Sequence, residues 1–350
     1  MSPLHAAVRR AQGKRVTVGF DGFIDTIARP VRRTASAAAP AEHFPTIPDF
    51  GRYLAEYGGK SCSVALTVER RQLGGNLPHL SRAAGTLGLD VSCVGMLGDP
   101  AIDPVFRDMP CRLYSFAPAG QATALEFADG KVFLATDVPC PPDPWAYVTA
   151  RVPEAPALFR DADLIALVNW SELDLSQPLW EAVFEQVLRP GPADPRRYAL
   201  LDQFDCTPRT SDELGRELTL IGAFGQKRTA VLSLNENEAL DCGRKLVSGT
   251  SCLPEIMQAL RARYGIQEVL VHTLHETLLQ TPRGLTRMPT QFVPQPKIST
   301  GAGDHFNGAS CLALLAGLPD ADRVRFAGAF ASAYVRTGRT PTLDETLDTL

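Results

Sequence analysis

The chain has 350 residues, 45% of them hydrophobic and 21% charged, with a formal net charge of −4. This composition is globular, with length for a large core, and it lacks both the basic bias of a nucleic-acid binder and the charge blocks of a solvating tail. The eight cysteines are scattered and form no CxxC pair, so neither a zinc site nor a dithiol redox motif is supported, and free thiols in a reducing compartment are expected.

The first fifteen residues mix Arg and Lys with Ala and hold no apolar signal-peptide core. No apolar run is long enough to span a bilayer, so a soluble, cytoplasmic protein is expected. Val16 to Phe20 predicts a first strand. It leads into Gly19-Phe20-Asp21-Gly22-Phe23-Ile24-Asp25, at the sheet edge where open α/β folds bind ligands. Asp21 and Asp25 can each hydrogen-bond a sugar hydroxyl, and either can instead cap the next turn. Leu73-Gly74-Gly75-Asn76 opens a predicted helix over 77–87, with Asn76 as a cap, Pro78 in the first turn and Gly88 beyond the end. The paired glycines let a ligand approach the backbone, and Asn76 offers it an amide. A plain turn with an N-cap has the same pattern.

Val91 to Leu97 predicts the next strand. Residues 112–135 then break the rhythm with three β-like runs and the turn Ala128-Asp129-Gly130. They predict a small sheet over the ligand crevice, to which residues 29–60 contribute, or else an edge hairpin of the main sheet. Proline-rich loops follow at 138–144 and 189–195. Between and beyond them, strands at 164–168, 198–202, 230–234 and 268–272 alternate with helical patterns at 175–188, 211–222, 236–241 and 253–263. This alternation predicts an α/β fold of three layers, a mostly parallel sheet with helices on both faces. No GxGxxG follows the first strand, which argues against a dinucleotide-dependent oxidoreductase.

Two motifs lie toward the end. Asn235-Glu236-Asn237-Glu238 follows the strand at 230–234. Its Asn and Glu can reach a hydrated magnesium or a phosphate, and the same spacing makes a capping box. Ser299-Thr300-Gly301-Ala302-Gly303-Asp304 precedes a helix that runs to about Ala316 and stops at Gly317 and Pro319. Its glycines expose backbone N–H groups at a helix N-terminus, an anion site suited to a transferring phosphoryl group. Asp304 in the first helical turn is expected to be ionised at neutral pH and able to take a proton from an attacking hydroxyl. A Gly-rich turn with an acidic cap residue is the simpler alternative.

These four features, in this order, resemble the ribokinase-like (PfkB) family of carbohydrate and nucleoside kinases, from about Val16 to Gly338. The resemblance implies a single kinase domain over 1–350 with a small β lid at about 29–60 and 112–135. It implies ATP with Mg2+ as donor and a hydroxyl of a sugar or nucleoside as acceptor. By this resemblance Asp304 is the base, and Gly301, Ala302 and Gly303 form the anion hole. Gly74, Gly75 and Asn76 form the acceptor loop, Asp25 or its rival Asp21 binds the acceptor, and Glu126 on the lid sits near it. Asn235 and Glu238 organise the metal, and Thr273 faces the nucleotide. Some members pair through their lids, so a homodimer is open. Ile298-Ser299 stands where members often carry Asp-Thr, which puts monovalent-cation activation in doubt. The glycines of a nucleotide loop are missing from Val271-His272-Thr273-Leu274-His275-Glu276-Thr277. An active sugar kinase is the first expectation, with a nucleoside kinase or a catalytically inactive sugar- or nucleotide-binding protein as alternatives.

Overall fold

The computed structural model describes residues 2–36, 39–247 and 250–350. In chain order its strands are β1 (Arg15–Gly19), β2 (Phe23–Arg33), β3 (Glu42–His43), β4 (Leu66–Gly74), β5 (Asp90–Gly95), β6 (Arg112–Ser115) and β7 (Gly120–Phe127). Then come β8 (Gly130–Ala135), β9 (Leu164–Leu167), β10 (Tyr198–Asp202), β11 (Thr229–Asn235), β12 (Glu268–His272), β13 (Glu276–Thr281) and β14 (Gly284–Pro289).

Nine of them form a large sheet in the order β14-β13-β12-β11-β10-β9-β1-β5-β6. It is parallel from β6 to β12 and antiparallel at β13 and β14. Its central strands are apolar at successive positions because both faces are covered. Ile165 and Leu167 join the core under the helices Ala155–Asp161, Ser211–Phe224 and Leu253–Tyr264. Leu164 and Ala166 face the opposite core, with Asn76–Thr86, Ala302–Leu315 and Asp320–Thr337. The three predicted layers are present. Among the described residues no helix is long and apolar enough to cross a membrane.

The second sheet has five strands. β2 is its spine, pairing antiparallel with β4 and parallel with β7, and β7 turns back into β8. Its extent differs from the expected 112–135. Arg112–Ser115 pairs with β5 and extends the edge of the large sheet, where the Ser115 hydroxyl accepts from Leu97 N at 3.0 Å and donates to Gly98 O at 2.7 Å. Only 120–135 of that region joins the small sheet. The 29–60 region supplies part of β2, β3 and the helix Ile47–Glu56, which covers the sheet through Phe50 against Phe127 at 5.6 Å. Val68, Phe133 and Leu134 stand exposed on β4 and β8.

Candidate active site

The site forms where the carboxyl ends of β1, β9, β10, β11 and β12 meet the N-termini of two helices. Asp21 is wholly buried. Its carboxylate accepts from Asn76 N at 2.8 Å, Leu77 N at 2.7 Å and Asn169 Nδ2 at 2.8 Å. Asp21 therefore caps the helix Asn76–Thr86 from a distant strand. The cap residue itself is Gly75, at φ 85°, not Asn76 as expected. Freed from capping, the Asn76 side chain lies near Asp304 and favours its charged form.

Asp25, by contrast, accepts no hydrogen bond among the described residues and is 5% exposed. Burial, then the charge of Glu172, raises it to about 6, while Lys131 pulls it down. Burial raises Asp21 to about 7, against its three hydrogen bonds. The paired glycines make room for both acids. A Cβ at Gly74 would lie 2.2 Å from Asp25 Oδ1, and one at Gly75 would lie 2.9 Å from Asp21 Oδ2. Glu126 accepts from Lys131 Nζ at 2.8 Å across the β7–β8 hairpin, so it holds the cation that faces Asp25.

Gly301, at φ 82°, turns the chain into the helix Ala302–Leu315. The Ala302 N–H bonds back to Ser299 O at 3.2 Å, leaving those of Gly301, Gly303 and Asp304 without a protein partner among the described residues. His305 Nδ1 lies 2.7 Å from Gly301 O and Nε2 lies 2.8 Å from Thr340 Oγ1. A carbonyl only accepts, so Nδ1 carries the proton and Nε2 accepts from Thr340. Tyr334 stacks on this ring at 3.5 Å and donates to Thr300 O at 2.9 Å. The loop is thus held from behind by two side chains whose roles nothing in local spacing disclosed.

Asp304 is 8% exposed, and its Oδ1 has no partner among the described residues. Burial first, then Asp202, Asp21 and Glu238, raises it well above the ordinary range. The charged form expected at the helix N-terminus is therefore disfavoured in the substrate-free protein. A helix dipole contributes about 0.3–1 kcal/mol, too little against desolvation and three neighbouring acids.

On the donor side the capping box is real. Asn235 Oδ1 accepts from Glu238 N at 3.0 Å and Glu238 Oε2 accepts from Asn235 N at 2.8 Å. It fixes the buried Glu238 carboxyl in the field of Asp202. Asp202, which the sequence left unmarked, ends β10. Its Oδ2 accepts from Asn307 Nδ2 at 2.8 Å, Asn307 in turn accepts from Ser233 Oγ at 2.6 Å, and Asp202 Oδ1 is unpartnered among the described residues. Beside these acids a cavity of about 610 Å3 is lined by Asn235, His272, Thr273, Phe292, Gly303 and Phe306 among others. Thr273 borders it with its hydroxyl committed to His275 N and Glu276 N, at 3.1 and 3.0 Å. The missing glycines are explained by this turn, which leads directly into β13. Glu276 pairs with Arg287 at 2.7 Å, and His275 packs on Phe292 at 5.5 Å.

The raised acids set a pH dependence. The folded values of about 7, 6 and 6 for Asp21, Asp25 and Asp202 exceed the ordinary aspartate value of 3.8. The folded state thus binds these protons more tightly, and their contribution is complete below 3.8 and lost as pH rises through about 6 to 7. The melting temperature of the ligand-free chain should fall by several degrees between roughly pH 5 and 8. A flat or rising curve over that window contradicts the burial of these acids.

The family model for prokaryotic ketohexokinase matches residues 5–350. The chain belongs to this family. Among its relatives is a ketohexokinase of Haloferax volcanii, 29% identical over 345 residues that cover 96% of this chain and 90% of the other. Its fold is similar to that of Arabidopsis thaliana ribokinase, solved with ribose and ATP, with a TM-score of 0.63, 17% identity, and coverage of 96% of this chain and 98% of that one. It is also similar to a Burkholderia thailandensis nucleoside kinase solved with inosine, with a TM-score of 0.64, 17% identity, and coverage of 95% and 96%. The ribokinase-like assignment holds, and this prokaryotic ketohexokinase family member is an ATP-dependent carbohydrate kinase acting on a small molecule.

Proposed function

We propose that the chain transfers the γ-phosphoryl group of ATP to a hydroxyl of a ketohexose, with Asp304 as general base. The observation that carries this is one carboxyl group joining two sides of a site. Asp304 lies beside the acceptor-loop residue Asn76, which favours its charge, and stands in the field of Asp202 and Glu238. Membership of the prokaryotic ketohexokinase family supports a ketohexose as the acceptor.

In this reading Asp25 binds acceptor hydroxyls, because Asp21 is occupied in capping the helix. Gly74, Gly75 and Asn76 form the loop beneath the sugar, and the small sheet carrying Lys131 is a lid on a single domain. The free N–H groups around Gly303 receive the transferring phosphoryl group. The acceptor oxygen bonds to the γ-phosphorus as the bond to the departing ADP oxygen breaks. The acceptor proton goes to Asp304, whose buried Oδ1 has no hydrogen-bond partner among the described residues. Catalysis then rests on position and charge, as phosphoryl transfer requires.

The acid cluster fits a magnesium ion carried with the nucleotide. Among the described residues no three side chains are placed to ligate a metal by themselves. Magnesium, however, takes one or two carboxylates and completes its shell with phosphate oxygens and water. Asp202, with its buried and unpartnered Oδ1, and Glu238 would hold it, and Asn235 would fix Glu238. When bound, the ion supplies positive charge against phosphates and acids alike.

Two further points belong to this reading. The carbonyls of Gly301 and Thr300 already accept from His305 and Tyr334, which supports turnover in buffer free of potassium and sodium. Exposed Val68, Phe133 and Leu134 support pairing of two chains through the lid, to be checked by sedimentation across a concentration series.

The test is an ADP-release screen over ketohexoses, aldohexoses and nucleosides. A ketohexose should be turned over best, and Asp25→Asn should raise its KM about tenfold or more with KM for ATP unchanged. Turnover of nucleosides alone would contradict the assignment.

A further inference from the structure

His272 ends β12, beside its Cα partner Asn235 on β11. Its side chain lies toward the helix Ala302–Leu315, with its ring on Phe306 at 5.0 Å and 40°. A Cβ on Gly303 would meet His272 Cε1 at 3.3 Å and Nε2 at 3.6 Å. The imidazole therefore borders the turn whose N–H groups are free, and it lines the donor-side cavity.

A neutral imidazole has one N–H to donate. A purely structural histidine in such a place satisfies it internally, as His305 does on Gly301 O with Thr340 on its other nitrogen. Neither nitrogen of His272 has a protein partner among the described residues, and neither is sealed from the cavity. Burial lowers its pKa to about 4, so it offers a neutral donor across the ordinary assay range. The cavity wall also contains Asn235 and Gly303, the residues on which the phosphate end of the donor is expected.

We infer that His272 binds and positions the donor nucleotide by donating a ring N–H hydrogen bond to one of its phosphate oxygens. This rests on the proposed placement of the phosphoryl group at the Gly303 turn. The contact reads phosphate and not base, so it should discriminate nucleotides from the parent nucleoside.

The test uses the full chain with two variants. His272→Phe keeps a ring against Phe306 and removes the N–H, and His272→Gln restores a side-chain donor. Calorimetric titration with ATP, ADP and adenosine should show His272→Phe weakening ATP and ADP about tenfold. Adenosine binding and the KM for the ketohexose should stay within about twofold, and His272→Gln should recover most of the loss. Unchanged ATP affinity in His272→Phe, or equal losses for ATP and adenosine, would overturn the inference. If the nucleotide-specific loss appears but wild type phosphorylates no ketohexose, the contact stands and the proposed acceptor falls.

Discussion

Asp304→Asn is expected to lower kcat by about three orders of magnitude, the contribution of a well-placed general base. The amide is nearly isosteric, so sugar and ATP should bind with little change. The stability outcome separates this from simple damage. Asp304 sits in a cluster that penalises its charge, with burial the largest cause and Asp202, Asp21 and Glu238 adding to it. Removing an acid from that cluster should leave the melting temperature equal to wild type or higher at pH 8. In wild type the rate should rise with pH as Asp304 loses its proton, a limb that the variant lacks. A variant within about tenfold of the wild-type rate would remove Asp304 from the base role.

Gly301→Ala should lower kcat by about a hundredfold or more, the scale of losing one preorganised oxyanion donor. Two effects combine at this residue. Its φ of 82° costs an L-residue about 1–2 kcal/mol. A Cβ would also lie 2.9 Å from His79 Nδ1 and 3.0 Å from His79 Cγ, a buried ring with little room to retreat. The loop must shift, which disturbs its hydrogen bonds with His305 and Tyr334. Adding His79→Ala to Gly301→Ala relieves the clash and not the backbone strain, so kcat in the double variant should recover only in part. Stopped-flow measurement of the chemical step on both variants checks this, and a wild-type rate in Gly301→Ala would refute a preorganised loop.

Much of the architecture was legible because parallel strands buried on both faces print continuous apolar runs. The chain order of Asp25, Gly74-Gly75-Asn76, Asn235, Glu238 and Asp304 was visible for the same reason, since strand ends in such a sheet converge on one edge. The small sheet was harder. β4 runs Leu66-Thr67-Val68-Glu69-Arg70-Arg71-Gln72-Leu73-Gly74 and exposes most of its side chains, so neither alternation nor apolarity marks it. Arg112–Ser115 was read into the wrong sheet because a short half-buried strand does not say which edge it joins.

The site shows the same division. Asp21 and Asp25 were equivalent by spacing, and only the cap donors of a helix fifty-five residues away distinguish them. Asp202 is found through Asn307, 105 residues distant, and no local pattern ties the two. The helix N-terminus suggested a charged Asp304, whereas burial disfavours that charge. The helix dipole can be read from three residues of sequence, while desolvation depends on everything that folds around them.

In the proposed reaction a phosphoryl group passes from ATP to a ketohexose at Asp304. Incubation of wild type and Asp304→Asn with γ-labelled ATP, magnesium and a ketohexose tests it most directly. Label should move onto the sugar with wild type and stay on the nucleotide with Asp304→Asn. Label released to water as inorganic phosphate, or carried to the sugar equally by both proteins, would contradict it.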